Sequence, residues 1–280
     1  MRPLAFSSNA FKKNTLEESI EAIADIGYGA IELMADLHHA YPPTFDSQRR
    51  AQANAILENR NLVVSNINAF THFVDGDTYH PTWIEDDKDL REKRIAHTLN
   101  CIDLAKDFGA RTISLQPGGP LIGTKLSRDA AAERFAEGLS RCLDRAKQNN
   151  VSLAIEPEPG LFIQTSREYL EFKDRFFAKE DNIQMNCDIG HLFCVGDDPA
   201  KVIRDLAAHV AHVHVEDIGK NRVHQHLTPG KGVIDFKGIF DALKDIGYQG
   251  WATVELYPYE TSAAGVAKMA WEHLSRMGGS

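Results

Sequence analysis

The stretches DIGYGAIEL (25–33), DFGARTISL (107–115) and DIGYQGWATVEL (245–256) share one punctuation: an amphipathic run stops at a glycine and a strand-like run follows. Glycine just past a helix accepts the left-handed backbone that ends it, with no Cβ penalty. The repeat is weak, but it marks αβ units joined by short connections. Working outward, eight strand-like runs appear: LAFSS (4–8), AIELM (30–34), LVVSNIN (62–68), RTISLQ (111–116), VSLAIE (151–156), IQMNCD (183–188), VAHVHVE (210–216) and WATVEL (251–256). Helical patterns lie between them, at 15–27, 46–60, 87–108, 128–149, 166–174, 198–207, 236–246 and 262–275. In the first of these, Leu16, Ile20, Ile23 and Ala24 share one face. Thr15 with Glu18 three positions on reads as a capping box, and Gly27 as the stop.

Eight strand-then-helix units in succession predict an α/β fold, a closed (β/α)8 or TIM barrel forming a single domain over 1–280. A doubly wound sheet is the alternative, and it has no need of eight strands. The chain has 280 residues, 43% hydrophobic and 25% charged, a globular balance with length enough to bury a large core without disulfides. Cys101, Cys142, Cys187 and Cys194 form no CxxC pair, which reads as a reduced, intracellular, cytoplasmic protein. The opening MRPLAFSSNAFKKN lacks the apolar run of a signal peptide, and no run approaches the roughly 18 residues of a membrane helix. A net charge of −9 disfavours a nucleic-acid partner, which needs a basic footprint.

In a barrel of this kind the active site forms at the C-terminal ends of the strands. Strand five ends at Glu156 and strand six at Asp188, strand seven carries His214 near its end, and strand eight carries Glu255. One such residue alone is ordinarily a salt-bridge partner; four on consecutive strands outweigh that reading. Three carboxylates and one imidazole suit a divalent cation, Mn²⁺ first, with Mg²⁺, Co²⁺ or Zn²⁺ as alternatives. Within HVAHVHVED (209–217), strand alternation puts His212 and His214 on one face and His209 on the other. Of the three, His214 is the expected ligand and His212, one layer deeper, its support.

The motifs LAIEPEPG (153–160), CDIGH (187–191), HVHVED (212–217), HLTPGKGVIDF (226–236) and TVEL (253–256) resemble those of the sugar phosphate isomerase/epimerase superfamily of xylose isomerase-like TIM barrels. That group includes ketose 3-epimerases, hydroxypyruvate isomerase, inosose dehydratase and isomerase, and endonuclease IV-type DNA repair enzymes. The resemblance covers essentially the whole chain. It implies a metal held by Glu156, Asp188, His214 and Glu255, with Glu156 and Glu255 also serving as acid and base around a metal-stabilised enediolate. It implies substrate binding by His191, and by Lys220 at the position of the family's arginine. It also implies a small-molecule carbohydrate substrate and a homo-oligomer. Two departures stand out. The epimerases' second sugar-binding carboxylate falls on Phe162 here, and Glu158 is expected to point away from the metal.

Asn68 and Gln116, ending strands three and four, are placed for hydroxyl binding, and Glu32 for orienting a neighbour. The long segment 69–86 carries His72, Tyr79, His80 and Trp83; His80 and Trp83 are expected to cover the substrate or to pack on the barrel. His226 is expected at the substrate or behind it, and His224 exposed. QPGGP (116–120) lacks the lysine and serine of a phosphate-binding loop, and neither GxGxxG nor GxSxG occurs. The expected activity is isomerisation or epimerisation of a small keto-sugar. A dehydratase acting on a keto-inositol, keto-sugar or dehydroshikimate-like compound is the runner-up, and a DNA repair nuclease comes third.

Overall fold

Strands β1 (Leu4–Ser7), β2 (Ala30–Met34), β3 (Val63–Asn68), β4 (Thr112–Leu115), β5 (Ser152–Ile155), β6 (Ile183–Asp188), β7 (Val210–Val215) and β8 (Ala252–Val254) pair in that order. All pairs are parallel, and β8 closes on β1. The structure is a computed structural model that describes residues 4–72 and 77–278. The helices are α1 (Leu16–Ile26), α2 (Ser47–Asn59), α3 (Lys88–Asp107), α4 (Arg128–Asn149), α5 (Ser166–Phe177), α6 (Ile189–Val195), α7 (Pro199–Asp205), α8 (Phe236–Asp245) and α9 (Ala263–Ser275). This is the (β/α)8 barrel, and the doubly wound alternative falls because the sheet has no free edge. The capping box of Thr15 and Glu18 is present, and Gly27 ends α1 at φ 111°.

Helix α6 escapes the sequence pattern because it starts on the residue that ends β6. Asp188 is at once the last strand residue and the helix cap, its Oδ1 accepting from the His191 backbone N–H at 2.7 Å. No polar connection separates the two elements.

Alternate strand residues face the helices and the barrel interior. The outward set is apolar and fully buried, for example Phe6, Ile31, Ile67, Ile113, Ile155, Val213 and Val254. The inward set is polar. Ser7 donates to Glu32 at 2.7 Å; Asn66 donates to Glu32 at 2.8 Å and to Ser114 at 2.9 Å. Buried polar groups are costly unless partnered, so this lumen is a hydrogen-bonded network rather than a packed apolar plug.

Pairing register sets the rim. Asp188 stands beside His214, and His214 beside Thr253. The Glu156 N–H bonds to the Leu115 carbonyl at 3.0 Å and the Glu255 N–H to the Val215 carbonyl at 3.1 Å. Both glutamates therefore extend the ladder by one residue at the C-terminal mouth.

Candidate active site

The mouth holds a cavity of about 180 Å³. Its floor is Glu156 and Glu255; Asn9, Asn68 and His191 stand around them. Beneath lies the set Glu156, Asp188, His214 and Glu255, all buried, with ligand atoms within 4.8 Å of one another. Glu156 Oε2 and Asp188 Oδ2 are buried and meet no hydrogen-bond partner among the described residues. Two orphaned carboxylate oxygens within a set whose ligand atoms lie this close fit a divalent cation better than a plain salt-bridge cluster.

Around this set, charge is strongly coupled. Burial works against a charged His214, but Glu32, Glu156 and Glu255 outweigh it and raise its pKa well above the usual range. Burial pushes Glu156 up and Glu255 well up; His214 opposes, and neighbouring carboxylates add to the shift. Despite its burial, Asp188 is held below the usual carboxylate range, chiefly by His191 and His226.

Glu32 is the residue that the sequence placed only as an orienting neighbour. It is wholly buried, with its Oε2 2.7 Å from His214 Nε2 and 3.2 Å from His212 Nε2. His212 thus sits one layer deeper and supports the site through Glu32, while His209 lies near Tyr169 in a separate environment. Glu216 was not expected at all. It is buried, neither of its oxygens meets a donor, and burial and then Asp188 raise its pKa well above the usual range. A proton held there can be shared with Asp188. Its only sequence signal was a carboxylate two residues after His214.

One wall is imidazole. His191 Nδ1 lies 3.2 Å from the Pro157 carbonyl and His226 Nδ1 3.0 Å from the Glu255 carbonyl, so both carry their proton on Nδ1. His226 Nε2 is then an acceptor, 3.2 Å from His224 Nε2, which donates to it. Burial lowers His191 to about 4 and His226 to about 3, so both are neutral at pH 7. His226 stands behind the wall, whereas His224, expected to be exposed, lines the cavity. Glu158 also lines it rather than pointing away, accepting from the Tyr79 hydroxyl at 3.0 Å.

Four expected contacts are placed elsewhere. Trp83 is 2% exposed and packs on Phe135 of α4, with ring centroids 5.5 Å apart. Gly138 makes the room, since a Cβ there would meet the indole at 2.9 Å. His80 turns outward to Glu85 at 2.6 Å because Asp77 caps the backbone N–H groups of Tyr79 and His80. Gln116 donates to the Tyr79 carbonyl at 2.8 Å, so it anchors the loop that presents Tyr79. Lys220 is exposed in a turn and does not line the cavity.

The inosose dehydratase of Lacticaseibacillus casei is 30% identical over 141 residues, 44% of this chain and 46% of that protein, so the match spans about half of that relative's length. L-ribulose-5-phosphate 3-epimerase UlaE of Salmonella paratyphi A is 28% identical over 257 residues, 90% of this chain and 86% of that protein. A crystal structure of the IOLI protein with a binding zinc atom superposes with a TM-score of 0.77 at 16% identity, covering 99% of this chain and 96% of that one. The family described as xylose isomerase-like TIM barrel matches residues 20–276. With that match spanning nearly every strand and helix of the barrel, the chain belongs to the xylose isomerase-like TIM barrel family.

Proposed function

We propose that the protein is a divalent-metal-dependent isomerase or epimerase of a small keto-sugar or related polyhydroxy carbonyl compound. The observation that carries this reading is the pair Glu156 and Glu255, two buried carboxylates flanking His214 at the floor of a sugar-sized cavity. Burial raises both, which favours the protonated form and suits a group that takes up and returns a proton. One removes the proton next to the substrate carbonyl, and the other returns it to the opposite face; return from the same carboxylate gives aldose–ketose exchange.

Glu156, Asp188, His214 and Glu255 would hold the ion, Mn²⁺ in our proposal, which supplies Lewis-acid polarisation of the carbonyl when bound. Asn68 and His191, at the cavity wall, would bind substrate hydroxyls. A cytoplasmic setting and a homo-oligomeric assembly belong to the same proposal. Four unpaired thiols support the first, and the family resemblance supports the second. No helix among the described residues is long and apolar enough to cross a membrane.

The second reading is a dehydratase. It is favoured by the cluster His191, His224 and His226 beside the cavity, from which a departing β-hydroxyl could take its proton. It is favoured also by the inosose dehydratase relative. A phosphodiester substrate fits poorly, because the cavity is lined by Asp36, Glu156, Glu158 and Glu255.

A screen of keto-sugars and keto-inositols in D₂O with Mn²⁺, read by mass spectrometry, tests the proposal. A product of unchanged skeleton carrying solvent deuterium supports isomerisation or epimerisation. Loss of water supports the dehydratase, and no turnover of any carbonyl compound would overturn both.

A further inference from the structure

We propose that the cavity selects a neutral, unphosphorylated keto-polyol and rejects sugar phosphates, with Glu158 and Tyr79 as the specificity-determining pair. The inference rests on the keto-sugar reading above and narrows its substrate class.

The lining presents four carboxylates, Asp36, Glu156, Glu158 and Glu255, against one ammonium group, Lys12; an ion held by Glu156 and Glu255 would offset those two, which leaves Asp36 and Glu158 facing Lys12. Lys12 sits over the Tyr257 ring, 5.7 Å from its centroid. No arginine lines the cavity among the described residues, and residues 73–76, FVDG, carry no basic side chain. A phosphate monoester brings about −1.5 to −2 charges at pH 7 and oxygens that chiefly accept hydrogen bonds. It needs donors and positive charge.

Several of the wall's donors are already engaged. Asn9 Nδ2 donates to Glu255 Oε1 at 2.8 Å, and Asn68 Nδ2 to Glu32 Oε1 at 3.1 Å. Thr71 donates to Asp36 at 3.2 Å, Tyr79 to Glu158 at 3.0 Å, and His191 Nδ1 to Pro157. What the wall offers in surplus is acceptors. Glu158, 5% exposed, takes a single side-chain hydrogen bond among the described residues, though a carboxylate has about four acceptor sites. A sugar hydroxyl donates to such sites, whereas a phosphate oxygen, itself chiefly an acceptor, finds no donor in them. Tyr79 fixes Glu158 in the wall and adds the aromatic face against which a neutral sugar can lie.

The sequence puts this carboxylate two residues after Glu156, where the resemblance had placed none, and Phe162 occupies the position expected for it. The structure has Glu158 facing the cavity, so the wall regains an acceptor from a different turn of the chain.

The test uses matched ligands: D-fructose against D-fructose 6-phosphate, D-ribulose against D-ribulose 5-phosphate, and inorganic phosphate alone. Binding to the full chain supplied with Mg²⁺ is measured by calorimetry, and deuterium uptake at the carbon next to the carbonyl is followed separately. The neutral member of each pair should bind at least about tenfold tighter, as like-charge contacts in a closed site oppose the phosphate. Glu158→Gln, which keeps the shape, should weaken neutral binding about tenfold and narrow the ratio. Tyr79→Phe should do so by less. Equal or tighter binding of the phosphates would overturn the inference, as would an unchanged ratio in Glu158→Gln or binding of neither member. Discrimination without deuterium uptake would uphold the selectivity while defeating the proton-transfer reading.

Discussion

His214 Nε2 lies 2.7 Å from Glu32 Oε2, while His214 Nδ1 lies 3.0 Å from Glu156 Oε1. With an ion held at Nδ1 the imidazole would be neutral with one N–H, on Nε2, and Glu32 accepts it. Nδ1 would then present its lone pair toward Glu156, Asp188 and Glu255, the side on which the ion is placed. A partner on the far nitrogen fixes both the tautomer and the ring orientation of a metal-binding histidine. Glu32→Gln can donate to Nε2 and so favour the wrong tautomer. Its affinity for Mn²⁺ should fall about 10- to 100-fold in a direct titration. Unchanged affinity would show that Glu32 does not set the tautomer.

Trp83 serves stability, and Tyr79 serves the cavity. Trp83→Ala removes a buried indole from between α3 and α4 and should cost about 3–5 kcal/mol in denaturant unfolding. Activity per folded molecule should be kept. A raised KM with no loss of stability would place Trp83 at the substrate instead.

Arg94 fastens the segment that carries Phe70 and Tyr79. Its guanidinium is fully buried and donates to the carbonyls of Pro81 at 2.7 Å, Ala69 at 3.1 Å and Phe70 at 3.0 Å. Burial lowers it to about 10, so it stays charged at neutral pH. Arg94→Met strands three carbonyls at about 1–3 kcal/mol each. Chymotryptic cleavage within 69–86 should speed up, and kcat/KM should drop. Wild-type resistance to the protease would contradict this role.

Acid should weaken the fold partly through His97. Burial, with His72 and Arg94 adding, holds its pKa well below 6.5. The unfolded chain takes up that proton near pH 6.5 and the folded chain does not. The unfolded state therefore binds more protons below pH 6.5, and stability is lost as pH falls. One such group contributes up to about 1.4 kcal/mol per pH unit. The urea midpoint should decline from pH 7 to pH 5, and less steeply in His97→Gln. Identical slopes would show that His97 is not among the groups responsible.

The barrel was legible because its signals are local and repeated. AIELM, IQMNCD and the helix at 128–149 have the bounds that the patterns predict, and the terminal Gly27 and the Thr15–Glu18 box act where they stand. Strand alternation also put His212 and His214 on one face, and both lie against Glu32. What the sequence could not show was side-chain direction in the loops. For Trp83 and His80 the sequence left covering the substrate and packing on the barrel open; a gap at Gly138 draws one into the core and the capping Asp77 turns the other outward. Glu158 and His224 are at the cavity through folds of the chain that carry no periodic mark. Glu216 lies hidden one residue past β7, where its burial follows from α6 closing over it. A Cβ at Gly190 would collide with its carboxylate.

The central claim is that Glu156 and Glu255 carry the proton to and from the carbon beside the carbonyl. The most direct measurement follows solvent deuterium into that carbon of the identified substrate, in D₂O, for the wild type, Glu156→Gln and Glu255→Gln, with Mn²⁺ content measured for each. The account predicts deuterium incorporation by the wild type and, in each variant that still holds the ion, loss of turnover by at least about 10²-fold, as expected for a positioned acid or base. Near-normal turnover with full deuterium incorporation in either metal-loaded variant would contradict it.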